Sequence, residues 1–415
     1  KSQASIDEPE GRINRDDPFF KEKRDTIWQN FWDMGRPTMY HHDISVNYQF
    51  PLNKIPILNF LSLNTRYNAN YDWTSAPLSL LDLGNTIQNS NNVQYNAQIN
   101  LTTLYNKVPY FKKILSSGKK RSRQRTSRVK EDNEELENKK QKEQYVILKH
   151  AAKLILSVRN ISINYSQNQG TFLPGFIPES RFFGQSWGEI APGIPFVLGS
   201  QKDIRAQASR NDWLTRNENM NTLYTSMSSS NLVLRSTVEP FNKFRIELSA
   251  NRMQSLNHQE YYRWSESDNM FSSFSPSQQG TFSMSFLSWR TAFNRNNEDF
   301  SSETFAKFRN YRNEISKRIA SQNPNYSGLI DSTGFPEGYG STSQEVLIPA
   351  FLAAYSGKDA LGSSLNSMPN IPLPNWRVNY DGLMQIKSVK KRFQTFTLGH
   401  AYRSTYSIGS FSSSL

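Results

Sequence analysis

The chain has 415 residues, 36% hydrophobic, 13% aromatic and 20% charged, with no cysteine and a formal net charge of +13. That hydrophobic share is low for a globular domain, yet 26 Phe, 19 Tyr and 8 Trp are too many for a disordered one, so uncharged polar residues interleaved with aromatics make up the balance. Disulfides and thiolate metal sites are excluded, and no run approaches the ~18 apolar residues of a membrane-crossing helix. A transmembrane β-barrel, apolar only at alternate strand positions, stays open.

Residues 1–40 read as a loop with a short helix at about 26–34, where Ile27 and Phe31, and Trp28 and Trp32, are four apart and Gly35 ends the run. His41-His42 with Asp43 carries no metal reading, because adjacent strand side chains point to opposite faces and no third ligand follows at useful spacing.

Residues 41–110 alternate with period 2 and are expected to be wall strands. Ile44, Val46, Tyr48 and Phe50 alternate with Ser45, Asn47 and Gln49. From 61 to 73 one face reads Leu61, Leu63, Thr65, Tyr67, Ala69, Tyr71, Trp73 and the other Ser62, Asn64, Arg66, Asn68, Asn70, Asp72. From 93 to 105 the pattern returns: Val93, Tyr95, Ala97, Ile99, Leu101, Thr103 and Tyr105 against Gln94, Asn96, Gln98, Asn100, Thr102 and a stray Leu104. A strand of this length rises about 43 Å, and tilted near 45° it spans roughly 30 Å, the thickness of a hydrocarbon core. Aromatics at strand ends and an amide-rich polar face favour a membrane wall over a soluble sandwich or solenoid, whose outer face mixes in Lys and Glu.

Residues 111–150 form a charged insert. Nine basic residues and no acidic one fall between Lys112 and Lys130, followed by an acidic stretch from Glu131, so this insert supplies nearly half of the net charge. It reads as a solvated, mobile loop. A strand is expected over 151–165 with a bulge near Arg159-Asn160, then a Pro/Gly-rich loop over 166–200.

Strands are expected again over 201–296, with 201–212 the weakest and a turn at Glu239-Pro240-Phe241-Asn242. Residues 297–375 read as a long loop with a helix at about 302–321, stopped by Asn323-Pro324. Residues 376–415 return to strand, with Phe396, Leu398, His400, Tyr402, Ser404, Tyr406 and Ile408 on one face. The last residues look like strand, and the chain is expected to be part of something larger.

No catalytic, cofactor or metal residue is expected. Gly184-Gln185-Ser186-Trp187-Gly188 matches the nucleophile-elbow pattern, but Pro178 before it and Pro192-Gly193 after it oppose the strand–turn–helix that chemistry needs. His150, His258 and His400 are isolated, and Lys387, Lys390, Lys391 and Arg392 read as a solvated turn or headgroup contact.

A series of motifs carries a resemblance along nearly the whole chain: Gly35-Arg36-Pro37, Arg66-Tyr67-Asn68-Ala69-Asn70-Tyr71-Asp72-Trp73, Leu173-Pro174-Gly175-Phe176, Ala191-Pro192-Gly193, Ile348-Pro349-Ala350-Phe351-Leu352-Ala353-Ala354-Tyr355, and Pro374-Asn375-Trp376 followed by Tyr380-Asp381-Gly382-Leu383. Together they resemble the SprA/Sov family, the outer-membrane translocon of the Bacteroidetes type IX secretion system. The resemblance implies an all-β fold, the antiparallel transmembrane β-barrel wall of a very large barrel, here a C-terminal-half segment. It also implies export of folded cargo bearing a C-terminal signal domain, which in some members of the family includes gliding adhesins, and as partners the outer-membrane bilayer, a PorV-type shuttle barrel and a periplasmic plug protein. No nucleic acid is expected. Asn64, Arg66, Asn68, Asn70, Asn96, Gln98 and Asn100 would then face a hydrated lumen, and Leu63, Tyr67, Tyr71, Trp73, Tyr95, Ile99 and Leu101 lipid or a partner. The alternatives are a smaller outer-membrane barrel for solute uptake and a soluble basic β protein binding nucleic acid.

Overall fold

Long alternating segments with few glycines in their interiors form long strands. The computed structural model describes residues 1–5, 15–32, 35–109, 111, 156–186, 188–294, 301–324 and 326–414. Its strands are β1 (Ser2–Ser5), β2 (Arg36–Phe50), β3 (Leu61–Thr74), β4 (Asn85–Asn100), β5 (Val158–Phe176), β6 (Tyr224–Phe241), β7 (Phe244–Ser265), β8 (Met270–Ser285), β9 (Asn375–Tyr380), β10 (Leu398–Tyr402) and β11 (Thr405–Ser414). They form one mostly antiparallel sheet in the order β1-β2-β3-β4-β5-β6-β7-β8-β11, with β9 paired to β7 and β10 to β9. Among the described residues the sheet is not closed. β2 to β8 run from 14 to 22 residues, against about 5–6 for an ordinary strand.

The helices are α1 (Phe20–Trp32), α2 (Leu101–Lys107), α3 (Ile194–Val197), α4 (Arg205–Arg210), α5 (Glu303–Gln322), α6 (Gln344–Ser356) and α7 (Lys387–Arg392). The chain divides into two compact units. One comprises 1–234, 253–281 and 408–415; the other comprises 235–252 and 282–407.

Several expectations are corrected. The third alternating run ends at Asn100, not Tyr105. The Asn100 side chain accepts a hydrogen bond from the Thr103 amide at 3.2 Å and caps α2. Leu101 and Tyr105 are four apart as well as even-spaced, so the pattern could not separate strand from helix, and Leu101 is a helical residue. The strand expected over 151–165 is β5, whose register with β4 is continuous from Asn160 to Pro174, without a bulge near Arg159-Asn160. It absorbs the first part of the expected 166–200 loop. Pro174-Gly175 forms a bulge at its end, with the register shifting between Asn85 and Thr86 and Gly175 at φ +79°, rather than breaking the strand. The stretch 201–212, weakest of the expected strands, contains α4 instead.

Residues 239–241 belong to β6, so the turn into β7 is Asn242-Lys243. The shared face expected from Phe396 to Ile408 is broken at Arg403-Ser404. The N-terminal helix begins at Phe20, earlier than expected, and β2 begins at Arg36 rather than 41. Phe111 apart, the charged insert lies outside the described residues, as do 112–155 altogether.

The helix of the second unit forms as expected: Ser302 caps α5 by accepting from the Phe305 amide. Its Ile315 is buried with Ala350 and Ala353 of α6 and Ala360, with Phe308 and Ile319 packed around them. α6 itself was not foreseen. It carries Pro349 within it and ends at Gly357 in the left-handed conformation.

Candidate functional site

The antiparallel register of β2, β3, β4 and β5 decides which side chains share a face. Asp43, Asn70, Ser90 and Gly170 are cross-strand neighbours, as are Ser45, Asn68, Asn92 and Asn168. The same pairing continues through Asn47, Arg66, Gln94 and Ser166, then Gln49, Asn64, Asn96 and Asn164, then Ser62, Gln98 and Ser162. This is one polar surface across four strands. Apart from Gly170 none of these positions is buried. Arg66 and Asp43 are its only charged residues in these rows. Neighbouring amides bind one another: the Ser45 hydroxyl donates to Asn68 Oδ1 at 2.7 Å, and the Asn92 amide donates to Asn168 Oδ1.

Six of the seven residues assigned to the polar face therefore stand together on it. The seventh, Asn100, is at the end of β4 as the cap of α2. The alternation in β5 (Ser162, Asn164, Ser166, Asn168) extends the face beyond the residues singled out. That signal was in the sequence, hidden by the assignment of 166–176 to loop.

The opposite face has two zones. Toward one end of the strands lie Leu61, Ile99 and Ile161, then Phe50, Leu63, Ala97 and Ile163, then Tyr48, Thr65, Tyr95 and Tyr165, then Val46, Tyr67, Val93 and the polar Gln167. None of these is buried, and Val46, Tyr48, Phe50 and Tyr95 are exposed. Toward the other end the same face is covered. Tyr71, Trp73, Ile87, Leu173 and Phe176 are buried beneath residues 177–223, against Ala191, Phe196, Val197, Trp213 and Leu214. Tyr71 and Trp73, assigned to lipid or a partner, are thus 0% and 1% exposed under the chain's own covering segment and are not free to meet lipid.

The covering segment is held by polar contacts as well as apolar ones. The Trp73 indole donates to the Pro178 carbonyl at 3.0 Å, and the Tyr71 and Ser180 hydroxyls share a hydrogen bond of 2.6 Å. Buried Asn89 donates to the Phe196 and Ser200 carbonyls at 2.9 and 2.8 Å and accepts from Gln201 at 3.0 Å, so both its nitrogen and its oxygen are engaged. Arg205, at the start of α4, pairs with Asp203 at 2.8 Å and with buried Glu260 of β7, and stacks 4.4 Å from the Tyr224 ring. Burial opposes ionisation of Asp203, but the hydrogen bonds and charge of Arg205 outweigh it and hold the carboxyl below the usual range.

At the far end of the polar face His41 Nδ1 lies 2.6 Å from Asp72 and Nε2 3.6 Å from Asp43, while His42 points to the other face. Among the described residues no group of three or more His, Asp or Glu is arranged to hold a metal ion. Ser186 sits in a turn where its amide donates to the Ala191 carbonyl at 3.0 Å, preceded by a single 3-10 turn at 182–184 rather than a strand, which is not the geometry of a nucleophile elbow.

Fold and site define a predominantly antiparallel β protein with one open polar face, an opposed apolar zone and a covering segment. No family model matches the chain, and no curated protein matches it.

Proposed function

We propose that the chain is a stretch of the wall of a protein-conducting outer-membrane translocon, of the kind its motifs resemble. What supports this most is the two-sidedness of β2–β5: an uncovered amide surface on one side, and on the other an uncovered apolar zone four residue pairs deep. An amide surface keeps water bound and offers a passing folded protein little apolar area to adhere to. An apolar zone on the opposite side suits hydrocarbon, where unpaired polar groups are costly and only hydrogen-bonded strands can cross.

In this reading Asn64, Arg66, Asn68, Asn70, Asn96 and Gln98 line the conduit, and Leu63, Tyr67, Tyr95 and Ile99 meet lipid or a PorV-type shuttle barrel. Folded cargo with a C-terminal signal domain passes, and a periplasmic plug closes the resting pore. Arginine placed at Leu63 or Ile99 should cost about 2–4 kcal/mol near the bilayer midplane and block assembly into the outer membrane, while Asn68→Ser should assemble normally. Release of the protein from membranes without detergent would contradict the reading.

A further inference from the structure

The covering segment folds its core inward, and it also carries apolar side chains outward. Phe196 and Val197 of α3 are buried against the sheet, whereas Ile194 and Leu198, flanking them, are exposed. Phe182, Phe183 and Ile190 are exposed as well, each by more than half. The Gly193 amide donates to Gln185 Oε1 at 3.1 Å, and the Ser186 amide binds the Ala191 carbonyl, so these five residues lie on two adjoining stretches of chain. Phe183 and Ile190 hold positive φ, 51° in each case, a conformation disfavoured for a bulky and especially for a β-branched side chain.

The position of these exposed residues supplies the occupant. The Leu198 carbonyl accepts the Tyr67 hydroxyl, and the Gly199 backbone packs against Ala69 and Asn91. The end of α3 therefore abuts Tyr67 in the last row of the open apolar zone, and Phe183 lies farther along the same face, its ring 6.0 Å from that of His42. We infer that Phe182, Phe183, Ile190, Ile194 and Leu198 form a shoulder that seats in the interfacial layer of a lipid leaflet. The inference rests on the proposal that the apolar zone of β2–β5 meets lipid. Irregular backbone is not tolerated at hydrocarbon depth facing lipid, so the shoulder rests at the level of the headgroups and first methylenes with only its side chains dipping.

The chain has no cysteine, and with any cysteine elsewhere in the full-length protein replaced by serine a single introduced cysteine carries the label at one place. The test uses the full-length protein in vesicles of phosphatidylethanolamine and phosphatidylglycerol, with nitroxides at Ile194→Cys and Phe182→Cys and reference labels at Tyr95→Cys and Asn96→Cys. Relaxation by oxygen, which concentrates in lipid, is compared with relaxation by a water-soluble nickel chelate. The shoulder positions should show an oxygen-to-nickel ratio several-fold above Asn96 and below Tyr95. Ratios equal to Asn96, with Tyr95 still favouring oxygen, would overturn the shoulder while leaving the lipid-facing zone intact. Shielding from both reagents would overturn it too, showing a protein on the surface. Nickel access at Tyr95 would instead remove the reading on which the inference rests.

Discussion

Tyr67 and Tyr71 stand on the same face of β3, four residues apart, in different surroundings. Tyr67 is only half-buried, its hydroxyl reaching the covering segment's edge, whereas Tyr71 is enclosed, its ring 6.1 Å from Phe196 in an edge-to-face contact. Alternation places both on the apolar face, but whether an apolar side chain meets lipid or its own chain depends on residues more than a hundred positions later. The difference is measurable. Trp73→Ala empties a buried site and should cost about 3–5 kcal/mol, read as a lower midpoint of unfolding. At exposed Tyr95 the same truncation should cost far less, since no cavity forms. Equal losses at both positions would mean that the covering segment does not pack as described.

On the scale of elements, the 177–223 segment behaves as a cover held by apolar packing, by the Arg205–Glu260 ion pair, and by hydrogen bonds from Asn89, Trp73 and Tyr71. Glu260 has its side chain almost wholly buried, and removing Arg205 leaves its carboxylate with only the His258 imidazole, 3.5 Å away, beside it. Arg205→Ala should therefore destabilise the cover by about 3–5 kcal/mol and open 177–223 to limited proteolysis, with the strands of β2–β5 still protected. The Asp203–Arg205 pair adds a pH dependence whose sign follows from the lowered folded pKa. The unfolded chain takes up its proton first, so the pair's contribution is complete above the usual carboxylate range and is lost as pH falls through the depressed folded value. Proteolysis of the cover should rise over that acidic range, and Asp203→Asn should flatten the rise.

Gly84 closes the β3–β4 connection at φ +73°, where an added Cβ would stand 2.9 Å from the Gly175 carbonyl carbon of the β5 bulge. Gly84→Ala must shift backbone as well as adopt a strained φ, so it should lower stability by about 1 kcal/mol or more in a thermal melt.

Much of this was legible beforehand, and the reason is periodicity. β3 follows its alternating run almost residue for residue, and α5 follows its apolar spacing. What escaped reading depended on long-range packing. Pro174-Gly175 looks like a loop and is a bulge, because the neighbouring strand continues past it. Leu101 fits two periods, and only the Asn100 cap chooses between them. The cover could not be seen at all from 201–212, since Arg205 of α4 pairs with Glu260, 55 residues away. Of the candidate site, the polar face was visible because every second residue declared it; the burial of Tyr71 and Trp73 was not.

At the scale of the whole molecule, strands of 14 to 22 residues in an open sheet set the account's central claim: a two-faced wall, wet on one side and lipid-facing on the other. A sheet with water on both sides would have no use for uncovered Val46, Tyr48, Phe50 and Tyr95 on one face, and one with lipid on both would not tolerate Asn64, Arg66 and Asn68. The most direct measurement places single cysteines at each position from 62 to 68 of the full-length protein and labels intact outer membranes with a hydrophilic maleimide small enough to enter an aqueous channel. The account predicts a period of two, with Ser62, Asn64, Arg66 and Asn68 labelled and Leu63, Thr65 and Tyr67 protected until detergent is added. Uniform labelling of both sets before detergent would contradict it.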